Sequence, residues 1–188
     1  MMTRAQALAA SQSRLRGFAA DRDGVAAVEF AIILPVMLTL YLGCVELGDG
    51  WAANFKTTLA ARTVANLASE YTSIDSPTMS AILGAASTVM APYTSSPVVV
   101  VSEISTNASG QGTVTWSAAS SNGTARTQGS SVSLPSQMQT ANVKMILGEV
   151  TYPYTPALGY VITGTINLYQ TEYFFPRMST CVTYNSQC

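Results

Sequence analysis

Hydrophobic positions crowd into one block near the start of the chain and then thin into periodic patterns. Residues 25–45 read VAAVEFAIILPVMLTLYLGCV, 21 positions with a single charge, Glu29. As a helix this block would reach ~31 Å at 1.5 Å per residue, close to the hydrocarbon thickness of a bilayer. Pro35 lies inside it, lacks an amide N–H and should kink the helix, which membrane helices tolerate. Residues 49–71 are rich in alanine and hold no proline. Trp51, Phe55, Leu59, Val64, Leu67 and Tyr71 recur there near helical spacing. That predicts a stem continuing out of the membrane, with its inner face packed on a domain; a surface for partner helices is the alternative use. Ser76-Pro77 predicts the next helix start, with serine as N-cap and proline at the first helical position. Met79, Ile82, Leu83, Ala86 and Met90 then fall on one face, and Pro92 ends the run.

After Pro97 the texture turns to β. Residues 98–104 and 113–117 flank the loop STNASGQG and predict a hairpin. Two further strands are predicted at 143–152 and 165–174. Residues 118–133, AASSNGTARTQGSSVS, are small, polar and turn-prone, and are expected to form an exposed loop. The fold class is therefore α+β: a long N-terminal helix, a second amphipathic helix, and a small antiparallel sheet of about four strands able to bury one face. Asn107-Ala-Ser109 and Asn122-Gly-Thr124 match glycosylation sequons, a pattern that arises often by chance in a Ser/Thr-rich chain.

Charge adds an orientation. Charged residues are 10% of the chain, against roughly a quarter in an ordinary soluble domain. The mean hydropathy is +0.25. The net charge of −1 divides unevenly, with Arg4, Arg14, Arg16 and Arg22 before Gly24 and an acidic excess after it. By the positive-inside rule the N-terminus lies in the cytoplasm and residues after about 48 lie on the far side. An ordinary secretory signal peptide shares the basic start, but its apolar stretch is usually shorter, roughly 7–15 residues. No clear small-x-small cleavage site follows Val45. The cleavage signal instead precedes the apolar block, at Asp23-Gly24-Val25. A chain this poor in clustered cations offers nucleic acid no electrostatic footprint.

The run DGVAAVEFAIILPVMLTLYLGCVELGD resembles the N-terminal signature of the TadE/TadF/TadG family of pseudopilins. Family members have a basic leader ending in glycine, a glutamate at the fifth mature position, an apolar helix with an early proline, and a polar helical extension. Gly24, Glu29 and Pro35 occupy those places. The tail GEVTYPYTPALGY…GTINLYQTEYFFPR is similar to the end of many TadE-like proteins, through Tyr152, Tyr154, Pro156, Pro176 and Arg177. The resemblance implies a minor pilin of a Tad (Flp) pilus in the bacterial inner membrane. It implies cleavage by a prepilin peptidase between Gly24 and Val25. The expected parts are a leader over 1–24, a membrane helix over 25–48 and an extracytoplasmic pilin-like domain over 49–188. The implied partners are the peptidase, other pilin subunits, the Tad assembly platform and the inner membrane. Neither a cofactor nor a small-molecule substrate is expected. Glu29 would pair with the new α-amino group of Val25, in its own chain or a neighbouring one. Alternatively it is a carboxylate tolerated near the interface, where the helix dipole favours it.

Other chemistry is thin. There is no histidine, which removes Ser-His-Asp and Cys-His catalysis and histidine-ligated metals. No GxSxG occurs, and neither lysine sits in an SxxK motif. Among the three cysteines, Cys181 and Cys188 would lie outside the cytoplasm, where an oxidising compartment permits a bond between them; free or intermolecular thiols are the alternative. Cys44 reads as a small hydrophobe or a lipidation site. The aromatic tract Tyr152, Tyr154, Tyr160, Tyr169, Tyr173, Phe174 and Phe175 is core packing or a contact surface. The rival to a cleaved pseudopilin is an uncleaved single-pass anchor that keeps its basic leader.

Overall fold

A computed structural model describes residues 22–157, 159 and 163–188. The leader positions 1–21 and Tyr160 lie outside the described residues. The chain divides into two units, Met1–Val45 and Glu46–Cys188.

In the first unit the apolar block is helical. It is the opening part of α1 (Arg22–Ser69), which carries Pro35 inside it. Thr39 donates its hydroxyl to the Pro35 carbonyl at 2.8 Å. Val25, Phe30, Ile32, Ile33, Val36, Met37 and Leu40 are all exposed. Among the described residues, α1 is the one helix long and apolar enough to cross a membrane.

The second unit holds an α+β fold built around a five-stranded antiparallel sheet. The elements after α1 are β1 (Ser73–Ile74), α2 (Ser76–Met90), β2 (Val98–Thr106), β3 (Gly112–Ala119) and β4 (Ser131–Val132). A 3₁₀ turn (Ser136–Met138), β5 (Lys144–Tyr154), β6 (Ile166–Phe174) and β7 (Thr183–Tyr184) follow. The sheet order is β4-β3-β2-β5-β6, and β1 and β7 form a separate parallel pair. The expected four strands are all present. The fifth, β4, falls in the stretch 118–133, because a two-residue strand is too short to show alternation.

One face of the sheet packs on the helices. Val99, Val101, Trp116, Ala118, Ile146, Val150, Tyr152 and Tyr154 join Met79, Ile82, Leu83, Ala86 and Met90 of α2 in one core. The α2 face is the one predicted, but its cap is not. Asp75 is the N-cap, its carboxylate accepting the Thr78 N–H at 2.9 Å. Hydrogen bonding to Thr78 holds its pKa below the ordinary carboxylate value. Ser76 is thereby the first helical residue, and Pro77 follows one place later than expected.

The stem packs in an unexpected way. Its buried stripe is Ala53, Thr57, Ala60, Ala61, Val64, Ala65 and Ala68, while Trp51, Phe55, Leu59 and Tyr71 are exposed. The reason is steric. Gly148 of β5 lies directly under α1, where a Cβ would stand 2.7 Å from the Ala61 carbonyl oxygen and 2.8 Å from the Ala65 Cβ. Only small side chains fit a helix and strand this close, so the bulky residues turn outward.

The other face of the sheet is also covered. Ile104, Val114, Met145 and Leu147 form a second core with Val132 and Leu134, both from the segment between β3 and β5. Residues 118–133, expected to be a solvent loop, thus partly form a lid. Arg126 of that segment is held by Glu149 of β5 through two hydrogen bonds of 2.6 and 2.7 Å. Burial pushes the Glu149 carboxyl up, and Arg126 with the Tyr169 hydroxyl more than offsets it, leaving the pKa lowered. Tyr169 in turn is pushed up to about 12, first by burial and then by its bond to Glu149.

A register shift separates the two cores. Glu103 pairs with Trp116 and Ile104 with Val114, so Thr115 is the extra residue of a bulge. A bulge interrupts alternation, and here it sends Trp116 to the helix side and Val114 to the lid side.

Candidate assembly surface

Gly24 and Val25 lie in the first turn of α1. A Cβ built on Gly24 meets nothing within 4 Å. Packing among the described residues therefore gives no reason for a glycine there. Val25 and Glu29 are exposed, and Glu29 has no hydrogen-bond or ion-pair partner among the described residues. Pro35 and Cys44 are exposed on the same helix, Cys44 as a free thiol.

In the second unit the stem carries a ridge spaced by four residues: Leu47, Trp51, Phe55 and Leu59. Positions four apart on a helix stand one above the other. Trp51 is 78% exposed and Phe55 63%, the opposite of what such side chains do when they have a core to enter. The polar residues around the ridge are turned to other work. The Asp49 carboxylate accepts the hydroxyls of Tyr93 and Tyr154, each at 2.9 Å. Burial, then the hydrogen bond and charge of Asp49, push Tyr93 up to about 12 and Tyr154 higher still. Lys56 donates its ammonium to the carbonyls of Val89 and Ala91, closing the C-terminal end of α2. These ties fasten the stem to α2 and to the end of β5. Composition gave no sign of Asp49, because its two partners lie 44 and 105 residues away.

The aromatic tract divides. Tyr152 and Tyr154 are buried, Tyr173 and Phe174 pack against the two cores, and Tyr169 and Phe175 are about half exposed. Asn107 accepts the amides of Ser109 and Gln111 in the β2–β3 turn. Asn122 donates to the Ser96 and Pro97 carbonyls. Both sequon asparagines organise turns. Near the C-terminus, Cys181 and Cys188 are joined as a disulfide with their Cα atoms 5.7 Å apart. Among the described residues no group of three carboxylate or thiol side chains could hold a metal ion.

The chain thus pairs an apolar helix long enough to span a membrane with an α+β unit around a small antiparallel sheet. Residues 24–66 match the model of the TadE-like protein family. The chain is TadE-like over that stretch, which begins at Gly24 and takes in Glu29, Pro35 and most of α1. No curated protein and no solved structure matches it.

Proposed function

We propose that this chain is a minor pilin, or pseudopilin, of a Tad-type pilus, processed after Gly24 and held in the inner membrane by residues 25–48. The leader stays cytoplasmic, and residues 49–188 form the extracytoplasmic unit. The observation that carries the reading is the coincidence of the TadE-like match with an exposed Gly24-Val25 and a Glu29 without a partner among the described residues, on one apolar helix. Its role is structural, in pilus assembly, adhesion or secretion. Its partners are the prepilin peptidase, which supplies the catalysis, other pilin subunits and the Tad assembly platform.

A glycine at the scissile position leaves the backbone open to a peptidase. Cleavage would create an α-amino group on Val25, cationic near neutral pH given a reference pKa of about 8. Glu29 lies one helical turn from that amine. A carboxylate at the centre of a membrane helix costs about 2.5–3.5 kcal/mol on insertion scales, and pairing with an ammonium on its own or a neighbouring subunit offsets part of it. Pro35 shapes the packing of that helix among its neighbours.

The reading is tested by the intact mass of membrane-extracted protein from cells with and without their prepilin peptidase. Loss of residues 1–24 only with the peptidase present supports it. A full-length chain in both points to an uncleaved anchor of the same machinery. Glu29→Ala is expected to be cleaved normally yet to enter pili at about a tenth of the native level or less, the loss of about 1.4 kcal/mol of pairing. Quantifying the subunit in sheared pili checks this, and native incorporation would remove Glu29 from the mechanism.

A further inference from the structure

The C-terminal tail is gripped at one residue, through both of its backbone polar groups. Val182, next to the Cys181–Cys188 bridge, donates its N–H to Oε1 of Glu103 at 3.0 Å, and its carbonyl accepts the indole N–H of Trp116 at 2.6 Å. The Val182 side chain is fully buried in the helix-side core. The residues around it anchor the rest of the tail: Arg177 N–H bonds the Ser69 carbonyl at the end of α1, and Thr183 N–H bonds the Thr72 carbonyl, each at 2.9 Å.

Glu103 is an unusual partner. It has no exposed surface, and its second oxygen, Oε2, has no hydrogen-bond partner among the described residues. An ionised carboxylate offers about four acceptor sites, and here one is met by the tail. A bare charged oxygen in an apolar site costs far more than a bare hydroxyl, so the neutral acid is the form that fits. The groups facing it are few. β3 presents Trp116 and β5 presents Ile146, its direct pairing partner. The tail presents the Val182 peptide, with the Tyr184 ring 5.4 Å from Trp116. Among the described residues, Lys144 at the start of β5 is the charge that bears on the carboxyl. Burial raises the Glu103 pKa, against the opposing pull of the Val182 N–H, Lys144 and the nearby indole.

We propose that Glu103 is a proton-dependent latch on the C-terminal disulfide ring. Protonated, it sits under Val182 and holds the tail across the end of the stem. Ionised, it bonds the Val182 N–H more strongly but leaves a bare charge on Oε2, and the tail packed against it lifts to let water reach that oxygen. The latch concerns the folded extracytoplasmic unit and is independent of cleavage at Gly24. A carboxyl whose folded pKa is raised contributes stability that is complete below its unfolded value, 4.5, and is lost as pH rises through the folded value. Tail docking therefore weakens as pH climbs above that point.

The test is hydrogen exchange at the Val182 and Thr183 amides of the full chain in detergent micelles. Rates are corrected for intrinsic exchange, from about pH 5 to about pH 9. Protection is expected to fall at least about tenfold across that range, the equivalent of one pKa unit. In Glu103→Gln, which keeps the acceptor and cannot ionise, protection should stay high and level. A native tail with level protection, or a Gln variant that retains the native pH dependence, overturns the latch. The Glu103 carboxyl carbon shift in the native chain gives a reading that needs no variant. Titration above 4.5 supports the proposal, and titration at or below it does not.

Discussion

Gly148→Ala is expected to destabilise the extracytoplasmic unit by about 3 kcal/mol, the upper part of the range for overpacked cores, and Gly148→Leu to prevent its folding. The added Cβ would meet the Ala61 carbonyl oxygen at 2.7 Å and the Ala65 amide nitrogen at 3.2 Å. These are backbone atoms of a helix and cannot rotate aside as a side chain would. The helix must leave the sheet, and the alanine stripe from Ala53 to Ala68 leaves with it. Against a typical domain stability of about 5–15 kcal/mol, such a loss is large. Urea unfolding followed by circular dichroism measures it. Gly84→Ala is the control: Gly84 is exposed in α2 with nothing within 4 Å of an added Cβ, so that change should stabilise by about 1 kcal/mol. Equal midpoints for the two variants would refute the close helix–sheet contact.

Gly24→Trp is expected to leave the protein at full mass in the membrane, with processing slowed at least about a hundredfold, or about 2.7 kcal/mol of barrier. The structure makes this a clean experiment. Since a Cβ at position 24 meets nothing within 4 Å among the described residues, the variant should fold as the native protein does, and a processing defect then reports on the peptidase. Peptide mapping of the membrane fraction gives the cleaved share. Normal removal of residues 1–24 from the variant would show that cleavage there does not depend on Gly24.

What could be read in advance was what is local. The apolar block, the α2 face from Met79 to Met90 and the four longer strands each announce themselves within about fifteen residues, the range over which periodicity is visible. The stem misled because Trp51, Phe55 and Leu59 keep helical spacing whether they face a core or not. The decision lay with Gly148, some ninety residues on, which admits only small partners. Asp75 displaced Ser76 as the cap because both are good cap residues side by side, and spacing does not choose between them. The lid over the second sheet face was hidden by its Ser/Gly-rich composition, with Val132, Leu134 and Arg126 too sparse to form a pattern. The bulge at Thr115 and the grips on Val182 and Asp49 join residues distant in sequence or break the alternation on which reading depends. The proposed processing residues are a different case. Gly24 and Glu29 stood out through a family pattern, and no contact among the described residues accounts for either.

The two sides of the stem answer to different judges. On the sheet side, Ala61 and Ala65 work under a ceiling set by Gly148 of β5, so drift there is confined to residues hardly larger than alanine. On the outer side, Trp51, Phe55 and Leu59 stand largely in the open. Their size and shape are free to change from one lineage to the next without unsettling the fold. A single helix can in this way keep one inherited seam while its outward face diversifies, and a subunit could acquire new neighbours without having to be rebuilt.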